Sequence, residues 1–225
     1  MAHCILQGWR TDDPTQGIKL RPVRTEGFRT WSEEDIAKFE ARHPIGTRAR
    51  LALALALFTA QRRGDIIRLG PQHIRNGVIQ LRQQKTGVPL IIPVHPELAR
   101  VLEQTPSTHL TFLATKDDRP FTPAGFTNWF HQMCEGAGLP PVSSVRGLRK
   151  AAARRLAEAG AGANIIASIT GHASLREVER YTVAADQARM ARAGIETMMS
   201  AFPGGEHSFA NLPPQLRKPA SKSLK

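Results

Sequence analysis

Apolar residues recur at helical spacing over most of the chain and alternate over one short central stretch. A helix is predicted from Ser32 to about His43, because a hydroxyl that can cap a helix is followed by three acids. A second is predicted from about Thr47 to Gln61, where the run LALALALFTA is rich in strong helix formers. Between them and the next helical region, NGVIQLRQQKTGVPLIIPV predicts two short strands around a glycine-containing turn.

Beyond these strands the pattern is helical again. HLTFLAT is a candidate strand, and NIIASI predicts a short buried helix that stops at Gly171. Further helices are predicted at about 96–104, 123–136, 144–159 (starting at Ser143 or Ser144), 174–180 and 184–199. The predicted fold class is therefore mainly α with a small antiparallel β-sheet (α+β).

The charge balance indicates a polyanionic partner. Lysine and arginine number 31 against 19 acids, a formal net charge of +12, and a domain this basic most often binds nucleic acid. An anionic membrane is the rival partner, but LALALALFTA is about half the length that crosses a bilayer, so no membrane association is expected. MAHCILQGWR shows no signal peptide, and two cysteines are too few for a disulfide framework, which favours a reducing cytoplasm.

The sequence offers little support for a metal site. His131 and Cys134 lie three residues apart on a predicted helix, but no second pair has ligand spacing. The adjacent aspartates at 12–13 and 117–118 lie in predicted turns and form no carboxylate cluster suited to two metal ions. We therefore expect no metal, and a metal-dependent nuclease remains an alternative class.

Five polar residues occupy turns or helix ends that are far apart in the sequence: Arg62, Lys85, Arg149, His172 and Tyr181, the only tyrosine. Each alone is typical of a solvated surface. Together they suit phosphoryl transfer on a nucleic-acid backbone without a metal, in which charge develops on the equatorial oxygens. Arginines can clamp those oxygens, a histidine can donate to a phosphate oxygen or move a proton, a lysine can protonate the leaving oxygen and a tyrosine can attack.

The spacing of these residues resembles the catalytic domain of the tyrosine recombinases, the phage integrase family. The first arginine box of that family is Thr, a small residue, any residue and Arg, followed shortly by an acid. TAQRRGD matches it, which selects Arg62 over Arg63 and gives Asp65 the supporting position. QQKTG matches the hairpin lysine at Lys85. The resemblance runs from about residue 31 to 201.

The second and third boxes of the family follow in register. The second is His-x-x-Arg, so that in RGLRK the arginine place belongs to Arg149 and the histidine place is taken by Arg146. The third is Gly-His with a tyrosine nine residues later, matched by His172 and Tyr181. Arg146 can contact a phosphate oxygen but cannot accept a proton near neutral pH. A catalytically impaired or non-catalytic DNA-binding remnant is therefore the alternative.

The resemblance implies a site-specific recombinase or integrase of a mobile element. Tyr181 would attack a scissile phosphate, form a 3′-phosphotyrosyl link and release a 5′-hydroxyl. Arg62, Arg149 and His172 would hold the phosphate oxygens, and Lys85 would act as the general acid. The 5′-hydroxyl of another strand then reverses the step, so no metal, ATP or other cofactor is expected. A type IB topoisomerase shares this chemistry and remains open.

The resemblance also implies partners and a domain order. The partners are double-stranded DNA and further copies of the chain, because the family acts as a homo-tetramer on DNA and exchanges C-terminal segments. A monomer without DNA remains open. Residues 1–30 are predicted to be the end of a missing N-terminal core-binding domain plus a linker, 31–202 the catalytic domain and 203–225 a flexible C-terminal tail. The expected location is the cytoplasm, associated with the nucleoid.

Overall fold

The computed structural model describes residues 2–14, 28–105, 109–172 and 174–201. Helices dominate this part of the chain, and one three-stranded antiparallel sheet has the order β1-β2-β3. The elements are α1 (Ala2–Leu6), α2 (Glu33–Arg42), α3 (Arg48–Thr59), α4 (Arg63–Ile66), β1 (Ile74–Arg75), β2 (Val78–Arg82), β3 (Pro89–Pro93), α5 (Pro96–Gln104), α6 (Pro123–Gly136), α7 (Val145–Glu158), α8 (Ala163–Thr170) and α9 (Leu175–Ala201). Residues 15–27 and 203–225 lie outside the described residues, so the domain boundaries remain predictions.

The first two long helices begin where the sequence predicts them. Ser32 caps α2: its hydroxyl accepts the N–H of Asp35 at 3.1 Å, and the Asp35 carboxylate accepts the N–H of Ser32 at 2.8 Å. The Thr47 hydroxyl caps α3. α3 is buried around its whole circumference from Leu51 to Leu57, as expected of a helix at the centre of a core.

The core packs α3 between α5 and α7. Trp31, Phe39, Phe126 and Phe130 are fully buried beside it, and Trp31 donates from Nε1 to the carbonyl of Ser144 at 3.1 Å. This bond fixes the start of α7 against the segment before α2. Among the described helices, none is long and apolar enough to cross a bilayer.

One glycine in α7 is required by close packing. A Cβ added at Gly147 would lie 2.3 Å from the Arg29 carbonyl oxygen and 2.8 Å from Trp31 Cδ1. The carbonyl and the indole could not make room for this Cβ unless the backbone shifted, because a backbone atom and a buried ring both resist displacement. Gly147 therefore allows the first turn of α7 to lie directly on the segment before α2.

The predicted strand at HLTFLAT is wrong. Residues 109–112 form bends, and in the part of the chain that the structure describes, strand pairing here is limited to an isolated bridge between Ala114 and Pro120. Thr111 bonds locally instead: its N–H donates to Nδ1 of His109 at 3.1 Å and its hydroxyl donates to the carbonyl of Leu113 at 3.0 Å. Such local bonds compete with strand pairing.

Two predictions about the last helices also need correction. The helices predicted at 174–180 and 184–199 are one continuous helix, α9, because no glycine or proline lies between them and Val178 and Thr182 are buried against the core. The helix at NIIASI is buried on one face alone, since Ile166 is buried whereas Ile165 is 55% exposed.

Candidate active site

The first arginine lies in the turn that follows α3. Ala60 adopts the left-handed conformation (φ 53°) and ends α3, which turns the chain away from the helix axis. Two residues later Arg62 is the N-cap of the short helix α4. The buried carboxylate of Asp65 accepts the N–H of Gln84 at 2.8 Å through Oδ1. This bond ties the arginine turn to the β2–β3 hairpin.

Two buried glutamines join this turn to the hairpin and to the end of α8. Gln83 donates from Nε2 to Oε1 of Gln61 at 2.7 Å and to the carbonyl of Thr170 at 2.8 Å. Its Oε1 accepts from Nη1 of Arg62 and from the hydroxyl of Thr86, both at 2.7 Å. Both Nε2 hydrogens and both Oε1 lone pairs of Gln83 are thereby used. The amide cross-links three segments that are distant in sequence.

The predicted hairpin lysine lies at the tip of the β2–β3 loop. Backbone bonds close this loop, from Gln83 N–H to the Val88 carbonyl at 3.0 Å and from Gly87 N–H to the Gln83 carbonyl at 2.9 Å. Gly87 has φ 68°, a conformation that favours glycine. Lys85 is exposed and its side chain borders the same cavity as Arg62.

The arginine of the second box is buried on α7. Arg149 is 8% exposed, donates from Nη1 to the carbonyl of Ala60 at 2.8 Å and contacts Nε2 of His172 through Nη2 at 3.1 Å. Burial, and then the positive charge of Arg62, lower the pKa of Arg149 to about 10. The guanidinium therefore remains charged at neutral pH.

Arg146, one turn earlier on α7, is exposed and differently placed. Its guanidinium carbon lies 4.5 Å from the centroid of the Phe28 ring, a cation–π contact. Lys150, one turn later, donates to the carbonyl of Phe28 at 2.7 Å. Both arginines border the cavity, although Arg149 lies deeper.

The histidine of the third box follows the end of α8. Gly171 adopts φ 69° as the C-cap, and the next residue, His172, is turned toward α7 with 11% of its side chain exposed. The Nδ1 atom lies 2.7 Å from the hydroxyl of Thr170, and Oε2 of Glu177 lies 3.6 Å from Nε2. Burial, and then the charge of Arg149, lower the pKa of His172 to about 4. The imidazole is therefore neutral at pH 7.

The sequence suggested that Tyr181 lies at a helix end. In the structure it lies in the second turn of α9. Its ring is half-buried and packs on the small apolar cluster of Ala153, Ala157, Ile166 and Val178, contributed by α7, α8 and α9. This packing holds the tyrosine ring against α7 and α8.

The structure brings all the predicted site residues to one cavity of about 890 Å³. The cavity is open to solvent on the side of the hairpin tip and of α9, where Lys85 and Glu177 are exposed. The lining residues are Phe28, Gln61, Arg62, Arg63, Gly64, Asp65, Gln84, Lys85, Thr127, Phe130, His131, Ser144, Val145, Arg146, Arg149, Lys150, His172, Glu177 and Tyr181.

The charges around the cavity suit an anion. Its lining includes six lysine or arginine side chains and two carboxylates, those of Asp65 and Glu177. Arginine presents a planar set of donors that match phosphate oxygens. The amino end of α7 adds a partial positive charge beside Ser144 and Val145.

The candidate metal residues do not form a cluster. In residues 2–14, 28–105, 109–172 and 174–201, no group of three or more His, Cys, Asp or Glu side chains could hold a metal ion. His131 borders the cavity, whereas Cys134 is buried and burial raises its thiol pKa to about 12. The aspartate pairs at 12–13 and 117–118 lie outside the cavity lining.

Sequence reasoning missed the polar residues that hold the site together. Gln83 continues the inward face of β2, two residues after Leu81 and four after the buried Ile79, so alternation predicts a buried amide there. Thr170 lies one turn after Ile166 on the buried face of α8. A buried polar side chain needs a partner, which was the available signal. Glu177 has helical spacing to Tyr181 and gave no other signal.

Comparison with known proteins identifies the family. A model of the phage integrase family matches residues 30–188. The chain belongs to the phage integrase family. This integrase-family chain is 28% identical to the integrase of Escherichia phage HK022 over 194 residues, which cover 80% of the chain and 53% of that integrase. It is 29% identical to the integrase of Enterobacteria phage 434 over 91 residues, 40% of the chain and 26% of that integrase. The matched region thus covers about half the length of the HK022 integrase and about a quarter of the length of the phage 434 integrase.

Solved structures confirm the predicted fold class. The integrase-family chain is similar to a lambda integrase dimer bound to a COC′ core site, with a TM-score of 0.66 and 22% identity over 80% of this chain and 55% of that one. XerA recombinase gives a TM-score of 0.62 at 17% identity over 77% and 66% of the two chains. The Tn1549 transposon integrase in complex with circular intermediate DNA gives 0.64 at 17% identity over 84% and 74%.

Proposed function

We propose that this chain carries the catalytic centre of a site-specific DNA recombinase of a mobile element. It would cut and rejoin DNA through a 3′-phosphotyrosyl intermediate without metal or ATP. The observation that carries the proposal is the convergence of Arg62, Lys85, Arg149, His172 and Tyr181 on one cationic cavity. These residues come from four separate segments of the sequence, and membership of the phage integrase family supports the same chemistry.

The nucleophile in this proposal is Tyr181. A phenol with an ordinary pKa near 10 attacks slowly until nearby positive charge favours its ionised form. Arg149 and Arg62 supply that charge and bind the equatorial oxygens of the scissile phosphate. One of the five N–H donors of Arg149 is used on the carbonyl of Ala60, which anchors the guanidinium at the border of the cavity. Anchored donors of this kind contribute roughly 3–4 kcal/mol each to the transition state.

The leaving group in this proposal is the 5′-oxygen, and Lys85 protonates it. The lysine sits at the tip of a hairpin whose base is fixed by Gln83 and Asp65, and its exposed side chain borders the cavity. Arg146 binds a neighbouring phosphate oxygen. Its guanidinium is already held at the cavity by Phe28.

The proposed substrate is double-stranded DNA, bound by four copies of the chain in the cytoplasm, associated with the nucleoid. Relatives in solved complexes support this assembly: one structure is a lambda integrase tetramer bound to a Holliday junction. The end of α9 supports an exchange of C-terminal segments between copies. Its apolar residues are exposed: Met190 is 65%, Ile195 44% and Met198 55% exposed.

Covalent capture of DNA tests this proposal. The probe is a pool of short duplexes of random sequence, each with a nick that lets the short fragment 3′ to the break, which carries the released 5′-hydroxyl, diffuse away after cleavage. We expect DNA that remains bound to the wild-type chain in SDS, and none bound to Tyr181→Phe. EDTA should not change the yield, because no metal takes part in the step.

Each of the other outcomes would indicate a different function for this chain. DNA binding without an adduct would indicate a non-catalytic remnant, which Arg146 at the histidine position favours. An adduct that survives Tyr181→Phe would refute the proposed nucleophile. Cleavage that leaves no adduct and stops in EDTA would indicate a metal-dependent nuclease.

A further inference from the structure

The proposed reaction leaves one proton without an acceptor. Tyr181 must lose its hydroxyl proton when it attacks, and the residue at the second-box histidine position is Arg146. A guanidinium stays protonated at neutral pH and therefore cannot accept another proton. Another group that borders the cavity must therefore do so.

The hydrogen bonds of Thr170 define which nitrogen of His172 carries a hydrogen. The Thr170 hydroxyl donates to the Ile166 carbonyl at 2.7 Å and lies 2.7 Å from Nδ1 of His172. A hydroxyl has a single hydrogen to donate. Because that hydrogen points to the carbonyl, the oxygen accepts from the imidazole, and Nδ1 carries the hydrogen.

The other ring nitrogen faces a donor. Nη2 of Arg149 lies 3.1 Å from Nε2 of His172, and a guanidinium donates but never accepts. Nε2 therefore presents its lone pair. Both sides of the ring independently favour the same neutral tautomer, with the hydrogen on Nδ1.

The charges around the ring keep it neutral before the reaction. Burial lowers its pKa most, followed by Arg149, and Arg62 acts in the same direction, whereas Glu177 raises it. Lys85 and Tyr181 also border the cavity. The pKa of about 4 means that the lone pair on Nε2 is present throughout the neutral range.

Tyr181 borders the same cavity as His172, and α9 carries it together with Glu177. Oε2 of Glu177 lies 3.6 Å from Nε2 of His172. Tyr181 follows Glu177 by four residues on α9, so the two side chains are neighbours on one helix face. The carboxylate can stabilise the imidazolium that forms when the ring takes a proton.

We propose that Nε2 of His172 accepts the proton of Tyr181 and that Thr170 is the positioning residue that holds the ring in the required tautomer. This rests on the proposed function. The O–H bond of Tyr181 breaks, its electron pair forms the bond to phosphorus, and the proton forms the Nε2–H bond. The bond from phosphorus to the 5′-oxygen breaks, and that oxygen takes a proton from Lys85. The phosphate replaces Nε2 as the partner of Arg149.

Nitrogen-15 NMR of the histidine-labelled chain without DNA tests the tautomer. We expect a neutral imidazole with its hydrogen on Nδ1 in the wild type and in Thr170→Ser. Thr170→Val, which has the same shape but no hydroxyl, should move part of the population to the other tautomer. His172→Gln assigns the signal. Hydrogen on Nε2 in the wild type would overturn the inference. An unchanged tautomer in Thr170→Val would show that Arg149 alone fixes the ring and would overturn the positioning role of Thr170.

The acceptor role is tested with two covalent-capture substrates, which differ in having oxygen or sulfur as the bridging 5′ atom. Sulfur leaves without a general acid, so it should restore Lys85→Ala, which we expect to lose 10² to 10⁴-fold with oxygen. His172→Gln should lose a similar factor with both substrates. Thr170→Val should lose about 10 to 100-fold with both, because a wrong tautomer costs up to about 10⁴-fold where a carboxylate directs the ring. Thr170→Ser should react like the wild type.

The outcomes separate the inference from the proposed function. If sulfur restores His172→Gln, the histidine serves the leaving group and the acceptor role is wrong. If Thr170→Val reacts as fast as the wild type, the positioning role is wrong. If the wild type forms no adduct with either substrate, the proposed function fails and the acceptor role with it, whereas the NMR result on the tautomer still stands.

Discussion

Acidification from pH 7 to pH 5 should destabilise the folded chain through His172. The folded pKa of about 4 lies below the ordinary value of 6.5, so the unfolded chain binds the proton more tightly. Stability is therefore complete above pH 6.5 and is lost as the pH falls toward 4. Integrating this difference between pH 7 and pH 5 gives a loss of about 1 to 2 kcal/mol in the free energy of unfolding, at 1.36 kcal/mol for each pKa unit. Urea unfolding followed by far-UV circular dichroism at both pH values measures it.

The matched control is His172→Gln, whose side chain does not titrate. Arginine partners lower the pKa values of the Glu33 and Asp35 carboxylates, and these groups lose their contribution as the pH falls through their folded pKa values. They do so equally in both proteins, and the difference between the two proteins isolates the histidine. Equal losses in the wild type and in His172→Gln would refute the claim that burial and Arg149 hold the ring neutral.

Three further predictions concern the site: two test its packing and one tests its phosphate clamp. Gly171→Ala should lower the free energy of unfolding by at least about 1 kcal/mol more than Gly138→Ala: both positions have φ near +69°, but the new Cβ would lie 2.5 to 2.7 Å from the Gln83 amide in the first and in open space in the second. Gln83→Leu should lower the free energy of unfolding by about 3 kcal/mol, because it leaves several buried polar groups unpaired. The exposed control Gln84→Leu should lower it by less than about 0.5 kcal/mol. Urea unfolding measures all four variants, and equal effects within either pair would contradict the packing described. Arg149→Lys should keep DNA binding but lower the rate of adduct formation about 10² to 10³-fold, since lysine cannot hold the Ala60 carbonyl and a phosphate together; an unchanged adduct rate would contradict the clamp.

The features that the sequence predicted are those with local signals. Ser32 and Thr47 predict the starts of α2 and α3 because a cap and its helix are adjacent in the chain. Gly171 and His172 mark the end of α8 because a left-handed residue there favours glycine. The spacing from His172 to Tyr181 belongs to a recognisable box, so the site residues could be named before their geometry was known.

The features that the sequence did not predict depend on partners distant in the chain. HLTFLAT has strand-forming residues, but among the described residues its strand pairing is limited to the bridge from Ala114 to Pro120, and Thr111 bonds to its own neighbours. The absence of glycine and proline permits α9 to continue through Thr182, but the packing on α7 and α8 that stabilises it there is not contained in local propensity. The bond from Gln83 to the carbonyl of Thr170 spans 87 residues, and nothing in QQKTG indicates that partner.

Mass spectrometry of the DNA-linked peptide tests most directly whether Tyr181 is the nucleophile. The wild-type chain is trapped on the nicked duplex pool, digested with nuclease and trypsin, and the modified peptide is sequenced. We predict a nucleotide joined through its 3′-phosphate to the oxygen of Tyr181. A nucleotide on any other side chain, or one joined through its 5′-phosphate, would contradict the proposed reaction.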